Sequence, residues 1–166
     1  EAVGHLPTSA TLVTSASNAI EIPSLTREAL RTLGVEICKI ILLHDSRGED
    51  LAVKVRKLLE KSPHPSPPIT LLSVDQAHDM NRVFKTLQSE LQGSDAPFVF
   101  DLTPGFKTIS LAMTRVARPD DTLLYMQHVQ RDHVADPTSY RLWAERITPL
   151  ATQTSAGPSA DAHPTR

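Results

Sequence analysis

Only one cysteine, Cys38, stands in the chain, so no internal disulfide can form. Such usage fits a reducing cytoplasm. Long apolar runs are missing as well. None approaches the roughly 18 residues that a membrane-spanning helix needs, and no signal peptide is legible. Neither sign of charge is in excess: 17 Lys and Arg stand against 19 Asp and Glu, a net charge of −2. That balance argues against a general nucleic-acid binder, so no DNA partner is expected and any nucleotide site must be a local pocket. Metal-ligand spacing is absent too. His64, His78, His128 and His133 are scattered, with no cysteine partners and no pair at i, i+4 on one helix, so neither a metal nor a cofactor is expected. No Ser-His-Asp arrangement follows from the spacing, and no catalytic residue is assigned. The phosphate-loop pattern Gly-x-x-x-x-Gly-Lys-Ser/Thr, the dinucleotide pattern Gly-x-Gly-x-x-Gly and internal repeats are all lacking.

What remains is a chain of 166 residues, 40% hydrophobic, long enough to bury one substantial core. Residues 1–9 read as a linker, 10–150 as one domain, and 151–166, rich in Ser, Ala, Pro and Thr, as a disordered tail. The start at Glu1 without Met, set against a tail that resembles a natural C-terminus, predicts that a segment precedes the chain. A first strand is expected at 10–14. Ser24 is expected to cap a helix with Leu25, Ala29, Leu30 and Leu33 on its core face and Gly34 as its stop. The aliphatic run 35–43 reads as a strand buried on both faces, with Cys38 inside the core. Ser46-x-x-Glu49 has the form of a capping box, ahead of a helix lined by Leu51, Val55, Leu58 and Leu59. Four prolines within 62–68 exclude regular structure there. A strand at 69–74 follows, then a helix capped by Asp79, carrying Met80, Val83, Phe84, Leu87 and Leu91 and ended by Gly93. The segment 122–126 reads as a further strand. The segment 140–147 suits a strand or a short helix, and a strand extending the sheet edge is expected. Strands alternating with helices through short connections predict an α/β fold, a Rossmann-like open and mainly parallel sheet with helices on both faces.

The stretch 97–110 organises the rest. Phe98, Val99 and Phe100 form a short apolar run that suits a buried strand. Asp101-Leu102-Thr103-Pro104-Gly105 breaks it, and Ile109, Ala112, Met113 and Val116 then recur at helical period. A strand feeding a tight turn that opens a helix leaves backbone N–H groups free at the positive end of the helix dipole. Gly105 permits close approach of the backbone and Lys107 adds a full charge, so a phosphate or similar anion suits the spot. The plainer alternative is a strand–turn–helix joint that binds nothing.

Asp101-x-Thr103-x-Gly105-x-Lys107 after a core strand resembles the signature of CARF domains, the CRISPR-associated Rossmann folds that sense cyclic oligoadenylates. The family's usual form is Asp-x-Thr-Gly-Gly-Thr-Lys. Pro104 here replaces the first Gly and Phe106 the second Thr, and Pro104 offers no N–H. The resemblance spans about residues 11–130 and implies a homodimeric sensor of a cyclic oligoadenylate, with cyclic tetra-adenylate favoured. It also implies control of an attached N-terminal effector in type III CRISPR antiviral defence, an effector that in some relatives is a membrane helix. The sensor domain itself would be cytoplasmic, while the full-length protein could be membrane-anchored. Lys107 would pair with phosphate, and Thr103, Gly105 and Thr108 would offer donors, with Pro104 and Phe106 completing the loop. Ligands of open parallel sheets bind beyond the carboxyl ends of the strands. Thr14, Ser15, Ala16, Ser17 and Asn18, then His44, Asp45, Ser46 and Arg47, and Gln127 therefore join the candidate ligand-binding set. Each has a structural alternative. Ser15, Ser17 and Asn18 suit a turn, Asp45 and Ser46 a helix start, and Arg47 a solvated first turn. Asp101 is expected to orient the loop by accepting backbone N–H groups. Two other functions are open: a metal-independent ring nuclease acting on the same messenger with Lys107 as charge stabiliser, and a Rossmann-like domain for a mononucleotide or a protein partner.

Overall fold

A computed structural model describes residues 6–95, 97–131 and 134–147. Residues 1–5 of the expected linker and the expected tail at 151–166 lie outside the described residues, as does His133. The elements run β1 (Ser9–Ser15), α1 (Ile22–Thr32), β2 (Glu36–Asp45), α2 (Glu49–Glu60), β3 (Ile69–Val74), α3 (Met80–Leu91), β4 (Phe98–Asp101), α4 (Lys107–Val116), β5 (Thr122–Arg131) and β6 (Val134–Arg146). They form one six-stranded sheet in the order β3-β2-β1-β4-β5-β6. The pairings from β3 through β5 are parallel, and β6 runs antiparallel to β5 at the edge. The fold is therefore Rossmann-like α/β, with the edge strand expected at 140–147 starting six residues earlier, at Val134.

Alternation along the strands explains the two layers of helices. Leu12, Ile40, Leu42 and Val99 face Leu30 of α1 and Val55 and Leu59 of α2. Val13, Ile41, Leu43, Phe98 and Phe100 face the other way, onto Val83, Leu87 and Leu91 of α3 and Ile109, Ala112 and Met113 of α4. Each fully buried Leu, Ile or Phe contributes about 1.5–3 kcal/mol of transfer free energy. Burial on both sides is why β2 and β4 read as unbroken apolar runs. Among the described residues no helix is long and apolar enough to cross a membrane.

Four local expectations are corrected. Helix α1 begins at Ile22 with Glu21 at its N-cap, two residues before the end at Ser24. Pro23 sits in its first turn, where a missing N–H costs nothing and a fixed φ favours helix, so entry precedes it. Ser24 Oγ is left buried without a hydrogen-bond partner among the described residues. Leu33 is 40% exposed, because α1 closes in a Schellman motif there. Gly34 takes φ +84°, its N–H donates to Arg31 O (3.0 Å), and Val35 N–H donates to Leu30 O (2.9 Å), which brings Val35 into the core in place of Leu33. Cys38 is exposed. The β1–β2 register shifts from Ala10↔Ile37 to Thr11↔Lys39, making Cys38 the extra residue of a bulge, and pairing with β3 starts only at Ile40. The capping box at Ser46 and Glu49 does not form. Gly48 is the N-cap of α2 and no side chain caps it. Asp79 does cap α3, accepting from the N–H groups of Asn81 (3.0 Å) and Arg82 (3.3 Å).

Candidate functional site

Strand β1 leads through α1 to β2 on one side, while its neighbour β4 leads through α4 to β5 on the other. The chain thus leaves the two adjacent strands in opposite directions and opens a crevice at their carboxyl ends, the usual ligand position of such sheets.

Asp101, the last residue of β4, holds the crevice together from behind. Its carboxylate is fully buried. Oδ1 accepts the Thr103 N–H (3.0 Å), and Oδ2 accepts the hydroxyls of Thr14 on β1 (3.1 Å) and Thr26 on α1 (3.1 Å). Burial raises its pKa above the usual carboxylate range, and the hydrogen bonds from Thr103, Thr26 and Thr14 pull the other way. Thr103 bonds Asp101 with its side chain as well, and its Oγ1 accepts the Met126 N–H of β5 (2.8 Å). One carboxylate thereby ties β1, α1 and the loop to each other and, through Thr103, to β5.

The loop itself is fitted to β1. Ser15 is buried and donates to Pro104 O (2.9 Å). Gly105 takes φ +87°, and a Cβ there would lie 2.2 Å from Ser15 Oγ. The glycine is thus needed for β1 as much as for anything outside. Thr108 donates its hydroxyl to Ala77 O, anchoring the start of α4 to the segment after β3. Phe106 is the N-cap of α4, with no side-chain cap bond. The N–H groups of Gly105, Phe106, Lys107 and Thr108 donate to no described group. They form a run of free donors at a helix start.

In front of this frame lies a cavity of about 370 Å³. Ala16, Ser17 and Asn18 border it from the end of β1, and His44, Asp45, Arg47 and Gly48 from the turn after β2. Gly105 and Phe106 close it from the loop, and Leu51 and Ile109 give it an apolar floor. Asp45 accepts the Arg47 N–H (3.1 Å) and the Ser46 hydroxyl (3.1 Å), an Asx-type turn that occupies both partners expected of the capping box. The Arg47 N–H, foremost, holds the Asp45 carboxyl below its usual pKa.

Of the candidate ligand residues, the structure gathers Ala16, Ser17, Asn18, His44, Asp45, Arg47, Gly105 and Phe106 around this one cavity. Thr14, Ser15, Thr103, Pro104 and Thr108 stand behind it as framework. Ser46, Lys107 and Gln127 are exposed outside its lining. Gly48, Leu51 and Ile109 were not anticipated as lining. Leu51 and Ile109 share one signal: each is the first periodic apolar residue of a helix that follows a sheet strand, which puts it at the sheet's carboxyl edge. Among the described residues no group of three or more His, Cys, Asp and Glu could hold a metal ion.

Topology and crevice together define a Rossmann-like domain whose one framed cavity sits where nucleotides are bound in such folds. No family model matches the sequence, and no curated protein does. A solved structure matches in fold: Can2 from Sulfobacillus thermosulfidooxidans in complex with cyclic tetra-adenylate, with a TM-score of 0.53 and 15% identity over 82% of this chain. The chain spans 36% of the length of that Can2 chain.

Proposed function

We propose that the chain is a CARF-like sensor domain that binds a cyclic oligoadenylate, cyclic tetra-adenylate in the first place. One observation carries the reading: the Asp101–Lys107 loop turns four unpartnered backbone N–H groups toward the strand-end crevice, beside a cavity walled by Ser17, Asn18, His44 and Arg47. Free amides at a helix start and a guanidinium suit phosphates, while hydroxyl, amide and imidazole groups suit ribose and adenine edges. The likeness in fold to a protein solved with cyclic tetra-adenylate supports the choice of ligand.

A cavity of about 370 Å³ lies near the lower bound of small-molecule pockets, ~300–1,000 Å³, and suits one nucleotide unit better than a whole ring. A ring of repeating units is then gripped by two copies of the chain, each holding an equivalent part. In this reading ligand binding shifts the relative orientation of two protomers and thereby controls an attached N-terminal effector, membrane-embedded or otherwise. A second reading, metal-free cutting of the same ring, is favoured by the imidazole in the cavity wall.

Calorimetry with cyclic tetra- and hexa-adenylate against AMP and NAD tests the proposal. Lys107 is exposed and forms no ion pair among the described residues, so Lys107→Ala should weaken cyclic-adenylate binding at least ~10-fold with an unchanged melting temperature. Unchanged affinity in that variant removes Lys107 from the site. Binding of AMP or NAD with none of the cyclic ligands selects the plain mononucleotide domain.

A further inference from the structure

His44 is the last fully buried residue of β2, only 6% exposed, and it borders the cavity. Its Nδ1 lies 2.9 Å from Asp45 O. A backbone carbonyl only accepts, so Nδ1 must carry the proton, and Nε2 is the bare, basic nitrogen of the ring. No described group bonds Nε2, and the atom is not among the sealed and unsatisfied ones. The open space it can reach is the cavity. A buried imidazole with its tautomer fixed on one side and a free lone pair on the other is the arrangement of a general base.

We propose that His44 is a catalytic residue that accepts a proton in the opening of a 3′,5′-linked oligoribonucleotide ring bound in this cavity. The inference rests on the cyclic-oligoadenylate reading and adds a reaction to it. Nε2 takes the proton of a ribose 2′-hydroxyl, and the 2′-oxygen attacks the adjacent phosphorus. The bond from phosphorus to the 5′-oxygen of the next nucleotide breaks, and that oxygen takes up the proton from the imidazolium. The products are a 2′,3′-cyclic phosphate and a 5′-hydroxyl, isomeric with the starting ring, so neither water nor a redox partner is consumed. Negative charge developing on the phosphoryl oxygens meets the free N–H groups at Gly105, Phe106, Lys107 and Thr108 and the Arg47 guanidinium, all at the same crevice. The apolar floor of Leu51 and Ile109 limits water around the reacting atoms.

The test uses the purified chain with cyclic tetra-adenylate in the presence of a chelator, under single-turnover conditions, with products separated by chromatography and affinity measured by calorimetry. The wild-type chain should yield linear products ending in a 2′,3′-cyclic phosphate. His44→Asn and His44→Ala should cut ~10²–10⁴-fold more slowly while binding within about threefold of wild type. Added imidazole should restore part of the rate in His44→Ala, a response that a structural role alone would not give. A bound ring left intact by the wild-type chain overturns the reaction and leaves the sensor reading standing. Failure of the wild-type chain to bind the ring overturns both. Folded His44 variants that cut at the wild-type rate remove His44 from the chemistry.

Discussion

At Asp101 the physics of a single residue sets how the site responds to pH. An ionised carboxylate in a dry interior is costly, and the hydrogen bonds from Thr14, Thr26 and Thr103 offset only part of that cost, so its pKa stands raised. The sign of the linkage follows. An acid whose folded pKa exceeds its unfolded value contributes stability that is fully present below the unfolded value and lost as pH rises through the folded one. In chemical denaturation, wild type should therefore lose stability relative to Asp101→Asn as pH rises from the ordinary value of 3.8 to the raised one, with a constant difference above it. A difference that is flat or that grows with pH over this window would show that hydrogen bonding outweighs burial. Gly105 gives a second prediction at this scale. Gly105→Ala adds a left-handed backbone penalty at φ +87° to a 2.2 Å overlap with Ser15 Oγ, and should cost roughly 2–4 kcal/mol. Adding Ser15→Ala should recover the overlap but not the backbone part, which a double-mutant cycle in denaturant reads directly.

The joints between elements show most clearly what a sequence conceals. Asp79 was legible as a cap because its carboxylate has no competing partner nearby and reaches two N–H groups of α3. Ser46 and Glu49 carry the same kind of signal, yet Asp45 takes the Ser46 hydroxyl and the Arg47 N–H and closes the turn first. Local patterns do not reveal which of two adjacent short polar side chains wins. Cys38 was misplaced for a different reason. Its apolar neighbours fix the strand, but only pairing with β1 reveals the bulge that turns one residue out of register. An exposed thiol outside both apolar cores should react with a maleimide in the native protein, with little change in the denaturation midpoint. Labelling that requires denaturant would restore Cys38 to the interior.

For the molecule as a whole, alternating strands and helices announced a parallel sheet, and the carboxyl ends of its strands had to share one edge. That sufficed to bring the residues after β1, β2 and β4 into one neighbourhood. It did not give the order β3-β2-β1-β4-β5-β6, which depends on α1 and α2 taking one face and α3 and α4 the other. Nor could it divide hydroxyls that frame the crevice from those that face it. Thr14, Ser15, Thr103 and Thr108 have the donors and acceptors of ligand residues, and the fold engages them within itself. The size of the remaining cavity then constrains the assembly. About 370 Å³ per chain leaves much of a four-nucleotide ring outside, so a ring that binds tightly must bridge two chains. Titration should accordingly saturate near one cyclic tetra-adenylate per two chains, with the sedimentation coefficient of a dimer at saturation. One ring per chain on a species that stays monomeric would show that a single crevice suffices, and with it the coupling of binding to protomer orientation would lose its physical basis.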